Sequence, residues 1–99
     1  MTVCVVEKWN AFARIRQDMF GCIDIVALKP DAIIGIQATT KSNINARINK
    51  SSCMPSLRAW INAGGIFEVW GWWKAKNGRW HCDIVVINEG DLTIDPESR

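Results

Sequence analysis

Two neighbouring stretches of this chain are almost wholly apolar, and each is broken by one polar residue. The first is Cys22-Ile23-Asp24-Ile25-Val26-Ala27-Leu28, and the second is Ala32-Ile33-Ile34-Gly35-Ile36-Gln37-Ala38-Thr39. Short apolar runs rich in β-branched residues read as strands buried on both faces. Lys29-Pro30-Asp31 between them is a turn, so the strands are expected to be antiparallel neighbours. Asp24 stands near the start of one strand and Gln37 near the end of the other, so a hairpin brings both to one corner. Burying a lone carboxylate is costly unless it is paired, hydrogen-bonded or bound to a metal. Two readings follow. Asp24 is held by a backbone amide or by Arg14 or Arg16, or Asp24 and Gln37 form a hard-oxygen corner suited to Mg²⁺.

The rest of the chain builds around that hairpin. Residues 2–7 are β-branched and read as a strand. Residues 8–18 lack a clean period and read as a long connection or hairpin arm. Residues 42–50 form a short helix with Ile44 and Ile48 on its inner face and Ser42 as N-cap. A second helix follows Pro55, with Leu57, Trp60 and Ile61 as its stripe and Gly64-Gly65 at its end. Strands are expected at 66–74 and 79–87, joined by a two-residue Asn77-Gly78 turn. That register sets Trp73 opposite Cys82, Gly71 opposite Ile84 and Val69 opposite Val86 as a core face. Trp70, Trp72, Val85 and Ile87 then lie on the outer face. The order is β-β-β-α-α-β-β, with a crossover between strands three and four.

Ninety-nine residues, 48% apolar and 22% charged, fit one globular domain and not a disordered chain. Residues 1–88 form that domain; they hold eleven Lys/Arg against six Asp/Glu, a basic balance compatible with a polyanionic partner. Residues 89–99 are an acidic, loosely ordered tail. No apolar run is long enough for a membrane span, and the N-terminus does not read as a signal peptide, so a cytoplasmic protein is expected. The four cysteines lack C-x-x-C spacing and His81 is the one histidine, which disfavours structural zinc and favours buried free thiols, with Cys4, Cys22 and Cys82 in apolar contexts.

Cations gather near the Asp24/Gln37 corner. Arg14 and Arg16 precede Asp24, and Asn43, Arg47 and Lys50 line one flank of the first helix. An acid-plus-amide corner ringed by cations suits a phosphodiester: the metal needs carboxylate and the phosphates need positive charge. A solvated basic helix face would read the same way.

The run from Arg14 to Leu28, with Gly21-x-x-Asp24 inside it, followed by Ile36-Gln37-Ala38-Thr39-Thr40-Lys41-Ser42-Asn43 and Arg47, resembles the PD-(D/E)XK nuclease superfamily. It is most similar to small phage-encoded nucleases of the Holliday-junction-resolvase and VRR-NUC kind. The family pattern is an Asp at the start of one strand and (D/E/Q)-x-K on the next, followed by a helix. The resemblance implies an α/β, restriction-endonuclease-like fold with a mixed five-stranded sheet and two short helices. It implies that Asp24, Gln37 and the Ala38 carbonyl hold Mg²⁺ or Mn²⁺, and that the protein is a DNA endonuclease with selectivity for branched DNA, in the host cytoplasm if phage-encoded. Thr39 stands where the family has lysine, so Lys41, or Lys50 from the helix, is the expected amine. The family's N-terminal helix is absent, and Glu7 is the expected stand-in for its acid. Arg14, Arg16, Asn43, Arg47 and Lys50 are the expected DNA contacts.

Two other readings share these residues: a non-catalytic nucleic-acid-binding module on the same fold, and a protein-interaction domain using exposed Trp70 and Trp72. A homodimer is also expected. Two helices cannot cover both faces of five strands, and an apolar sheet face left in water is unusual for a monomer.

Overall fold

Both apolar stretches are strands, and they set the frame. The structure, a computed structural model, describes residues 1–12 and 14–91, without the side chains of Ile15, Arg16 and Asp91. Strand β4 (Ile25–Lys29) runs antiparallel to β5 (Ala32–Thr40), with Ile25 opposite Ile36 and Lys29 opposite Ala32. Strand β1 (Thr2–Val5) adds antiparallel to the outside of β4. Strands β6 (Ile66–Lys74) and β7 (Trp80–Ile87) complete a five-stranded sheet of order β1-β4-β5-β6-β7. The β5–β6 pair alone is parallel. Parallel neighbours need a crossover, and helices α1 (Ile44–Ser52) and α2 (Pro55–Asn62) supply it. The fold is therefore α/β with a mixed sheet, in the expected order. Residues 8–18 add a separate two-stranded ribbon, β2 (Lys8–Asn10) and β3 (Ile15–Gln17).

Three boundaries differ from the sequence reading. The strand expected from residue 22 begins at Ile25, because Met19 and Ile23 exchange backbone hydrogen bonds of 2.8 and 3.0 Å and hold 20–22 in a tight turn. The first strand stops at Val5. The first helix opens with a 3₁₀ turn over Lys41–Asn43, and Ser42 is not a cap: its hydroxyl pairs with Thr40 Oγ1 at 3.2 Å. The second helix starts at Pro55 and closes as expected, with the Gly65 amide donating to Trp60 O at 2.9 Å.

The β6–β7 hairpin carries the largest correction. Its loop has three residues, not two: the Ala75 amide donates to Arg79 O at 2.8 Å and the Gly78 amide to Ala75 O at 2.9 Å. Gly78 takes φ 83°, which a glycine adopts freely. The register slips by one, so Trp73 faces His81, Trp72 faces Cys82, Gly71 faces Asp83 and Val69 faces Val85. A one-residue slip sends every β7 side chain to the other face. Ile87 is consequently buried and Val85 half-buried, while Ile84 and Val86 are exposed.

Both helices pack on one sheet face. Ile44 and Leu57 meet Phe67, Val69, Ile87, Ile23 and Cys22 there, and Trp60, Ile48 and Ile61 close the sides. Gly35 sits under that layer, where a Cβ would come within 2.7 Å of Ile23 Cδ1. The opposite face is also apolar: Ala27, Ile34 and Ile36 are buried beside Ile25, Ile66 and Trp70. All four cysteines are free; Cys22 is buried, but Cys4 is exposed, against the expectation for it. Of the expected loose tail, Glu89–Asp91 forms a 3₁₀ turn and residues 92–99 lie outside the described residues. No helix of the described residues is long and apolar enough to cross a membrane.

Candidate functional site

Four chain segments meet where the ribbon leaves the sheet, and their registers place the polar residues. Lys8 pairs with Gln17, so one step further Glu7 and Asp18 face each other at the ribbon's base. Met19 pairs with Ile23, so one step further Asp18 faces Asp24. Ile25 pairs with Ile36, so Asp24 faces Gln37. The Val6 amide donates to Asp24 O at 2.8 Å and the Asp24 amide to Ile36 O at 2.9 Å, which ties the corner on both sides. The turn that returns Asp24 to Asp18 needs positive φ at Phe20 (56°) and Gly21 (79°). The outcome is three carboxylates, on Glu7, Asp18 and Asp24, with donor oxygens all within 4.8 Å of one another.

Asp24 and Asp18 each have a defined hydrogen-bond partner. Asp24 Oδ2 accepts the Ala38 amide at 2.9 Å, the backbone contact that the sequence reading offered as one alternative. The N–H and C=O of one residue in an extended strand point to the same side, so the Ala38 carbonyl also faces the Asp24 edge. Gln37 Nε2 donates to Asp18 Oδ2 at 3.3 Å, and the buried Ser51 hydroxyl donates to Gln37 Oε1 at 3.2 Å. Gln37 is 3% exposed, so these two bonds satisfy a buried amide that would otherwise be costly.

Partial burial pushes the Asp24 carboxyl from the ordinary 3.8 up to about 7. The hydrogen bond with Asp18 and the negative charges of Asp18 and Glu7 contribute to that rise, and the Ala38 amide opposes it. Burial also pushes the Cys22 thiol up to about 11, so it stays neutral in the core. Three carboxylates with oxygens this close together could hold a divalent cation, which would offset their negative charge.

The raised Asp24 value has a direction in stability. The folded chain keeps a proton that the unfolded chain releases, so the stabilisation is full below pH ~4 and is lost as pH rises through about 7. Asn at position 24 mimics the protonated form. Asp24→Asn should therefore melt close to wild type at pH ~5 and above it at pH ~8, and Mg²⁺ should narrow the gap at pH ~8 by acting on wild type alone. Equal melting temperatures at pH ~8 in metal-free buffer would contradict this.

The other expected site residues divide. Lys41 does not turn to the acids: its Nζ lies 3.5 Å from Asp83 Oδ2 and 4.8 Å from the Trp73 ring centroid. The register slip makes this contact by moving Asp83 to the Trp73 face, where Trp73 Nε1 donates to Asp83 Oδ1 at 3.0 Å. Two other lysines, Lys50 and Lys8, share cavities with the acids, and of the two expected amines only Lys50 does so. Lys50 lines a cavity of about 470 Å³ with Gln17, Asp18 and Gly21. A second cavity of about 500 Å³ is lined by Val5, Val6, Glu7, Lys8, Gln17, Asp18 and Met19, so Asp18 borders both. Arg47 is half-buried and Asn43, one turn before it in the same helical segment, is exposed. Arg14 is exposed on the ribbon, and the Arg16 side chain lies outside the described residues.

The sequence reading missed Asp18. Its signal was the symmetric placement of Asp18 and Asp24 about Gly21, the residue able to reverse the chain between them. The chain matches no family model, no curated protein and no solved structure.

Proposed function

We propose that the protein is a restriction-endonuclease-like, divalent-metal-dependent nuclease that hydrolyses DNA phosphodiester bonds, branched DNA among its substrates. The observation that carries this reading is the three-carboxylate corner on Glu7, Asp18 and Asp24, set against Ala38 at the end of β5. Asp24 and the Ala38 carbonyl would hold Mg²⁺ or Mn²⁺, with Asp18 and Glu7 completing an oxygen shell that keeps several waters. The bound ion would supply an activated water and charge stabilisation at the scissile phosphate. Asp18 holds Gln37 Nε2, and Ser51 can accept as well as donate, so a turn of the Gln37 amide would present Oε1 to the acid corner without stranding Ser51. Lys50 brings positive charge to the Asp18 cavity, where it can orient water or phosphate.

A second reading is favoured by one feature. Gln37 presents its nitrogen to Asp18, and Thr39 occupies the family's lysine position, an arrangement suited to a nucleic-acid-binding module without chemistry. One assay separates the two: labelled linear, flapped and four-way DNA incubated with Mg²⁺, Mn²⁺ or EDTA. Metal-dependent cleavage supports the nuclease, and tight binding without cleavage supports the module.

The proposal includes a second copy of the chain. The apolar outer face, with Trp72, Ile84 and Val86 exposed, fits a two-fold contact that would set two acid corners against two DNA strands. Sedimentation equilibrium at micromolar concentration should give a mass near twice 11.2 kDa. A monomer mass at every concentration would exclude the dimer.

A further inference from the structure

The ribbon β2–β3 grows directly out of the acid corner, since Glu7 and Asp18 are its two base residues. Residues 8–17 carry Lys8, Arg14 and Arg16 and no acid, together with two aromatics, Trp9 and Phe12. Trp9 is 63% exposed, and Phe12 near the tip is 102% exposed, so its ring packs on nothing among the described residues. The Phe12 amide donates to Asn10 Oδ1 at 3.0 Å, and Arg14 takes φ 52°. A bare aromatic at the end of a cationic ribbon is poorly suited to water and well suited to a base and its phosphates.

We propose that this ribbon is a DNA-binding arm whose Phe12 stacks on a base exposed at a branch point, while Lys8 and Arg14 hold the flanking phosphates. The proposal rests on the nuclease reading for the position of the cut and adds to it the substrate form. Phe12 is five residues from Glu7, a reach of about 17 Å in extended chain, or about five base-pair steps from the acid corner. A two-stranded ribbon has the width of a DNA groove, and apolar side chains at such tips enter base steps that are already weakened. Intact duplex makes the arm pay for unstacking; a junction presents an open step. A second protein copy is a poorer occupant, because it would bring the same three cations together, whereas DNA neutralises them.

The test is fluorescence anisotropy in EDTA, with a labelled four-way junction and a linear duplex of the same sequence, on wild type, Phe12→Ala and Arg14→Ala. Phe12→Ala should weaken junction binding roughly tenfold to a hundredfold and duplex binding less than about twofold. Its melting temperature should not change, because the ring packs on nothing. Arg14→Ala should weaken both DNAs alike and lower the salt slope by about one. 2-Aminopurine placed at the branch should change its emission with wild type and not with Phe12→Ala. Equal losses on both DNAs, no loss, or a wild type that binds neither DNA would overturn the arm, as would a self-association that Phe12→Ala abolishes. The two readings fail separately. Junction-selective binding without Mg²⁺-dependent cleavage sinks the nuclease and leaves the arm standing; cleavage unaffected by Phe12→Ala does the reverse.

Discussion

Asp24→Asn should reduce Mg²⁺-dependent DNA cleavage by roughly three orders of magnitude or more while leaving the fold and DNA affinity in place. The substitution keeps the shape and can still accept the Ala38 amide, so β5 remains tied to the corner. It removes the one carboxylate placed opposite Gln37 and within reach of Asp18 and Glu7. Because burial already disfavours charge on Asp24, the apo variant should be at least as stable as wild type near neutral pH. Lost activity therefore cannot be assigned to unfolding. Cleavage within about tenfold of wild type would remove Asp24 from the reaction.

The second large effect separates the two lysines. Lys50→Ala should lower the cleavage rate about a hundredfold with little change in KM, because Lys50 shares the cavity of Asp18. Lys41→Ala should leave the rate within a few-fold. Its ammonium sits on Trp73 and Asp83, both partly exposed, and such surface pairs contribute about 0–1 kcal/mol. A larger rate loss for Lys41→Ala than for Lys50→Ala would return the amine to the position that the PD-(D/E)XK resemblance favours. Single-turnover kinetics with both variants on one substrate decides between them.

The contrast between those lysines shows what the sequence could and could not carry. Local signals were enough for the sheet and helices: continuous β-branched runs, Lys29-Pro30-Asp31, Pro55 and Gly64-Gly65 each act over a few residues, and each element is found near its expected place. The meeting of Asp24 with Gln37 was legible because one short turn sets the register of both. The β6–β7 register was not, since Asn77-Gly78 serves a two-residue and a three-residue loop equally well, and only packing against Ile44 and Leu57 chooses between them. That one-residue slip moved Asp83 inward and drew Lys41 to it. Asp18 was hidden for a related reason. Its partner across the turn depends on positive φ at Phe20, a non-glycine residue that composition does not mark for that conformation. Glu7 was legible only as a residue at the end of a strand; its place beside Asp18 comes from the ribbon pairing.

The central claim is that Glu7, Asp18 and Asp24 form one cation site. Mn²⁺ binding followed by the electron paramagnetic resonance of free ion tests it without any need for turnover. Wild type should remove Mn²⁺ saturably, Mg²⁺ should compete for the same site, and Asp24→Asn and Asp18→Asn should each abolish the saturable phase. Undiminished Mn²⁺ binding in both variants, or no saturable binding by wild type at millimolar ion, would contradict the account.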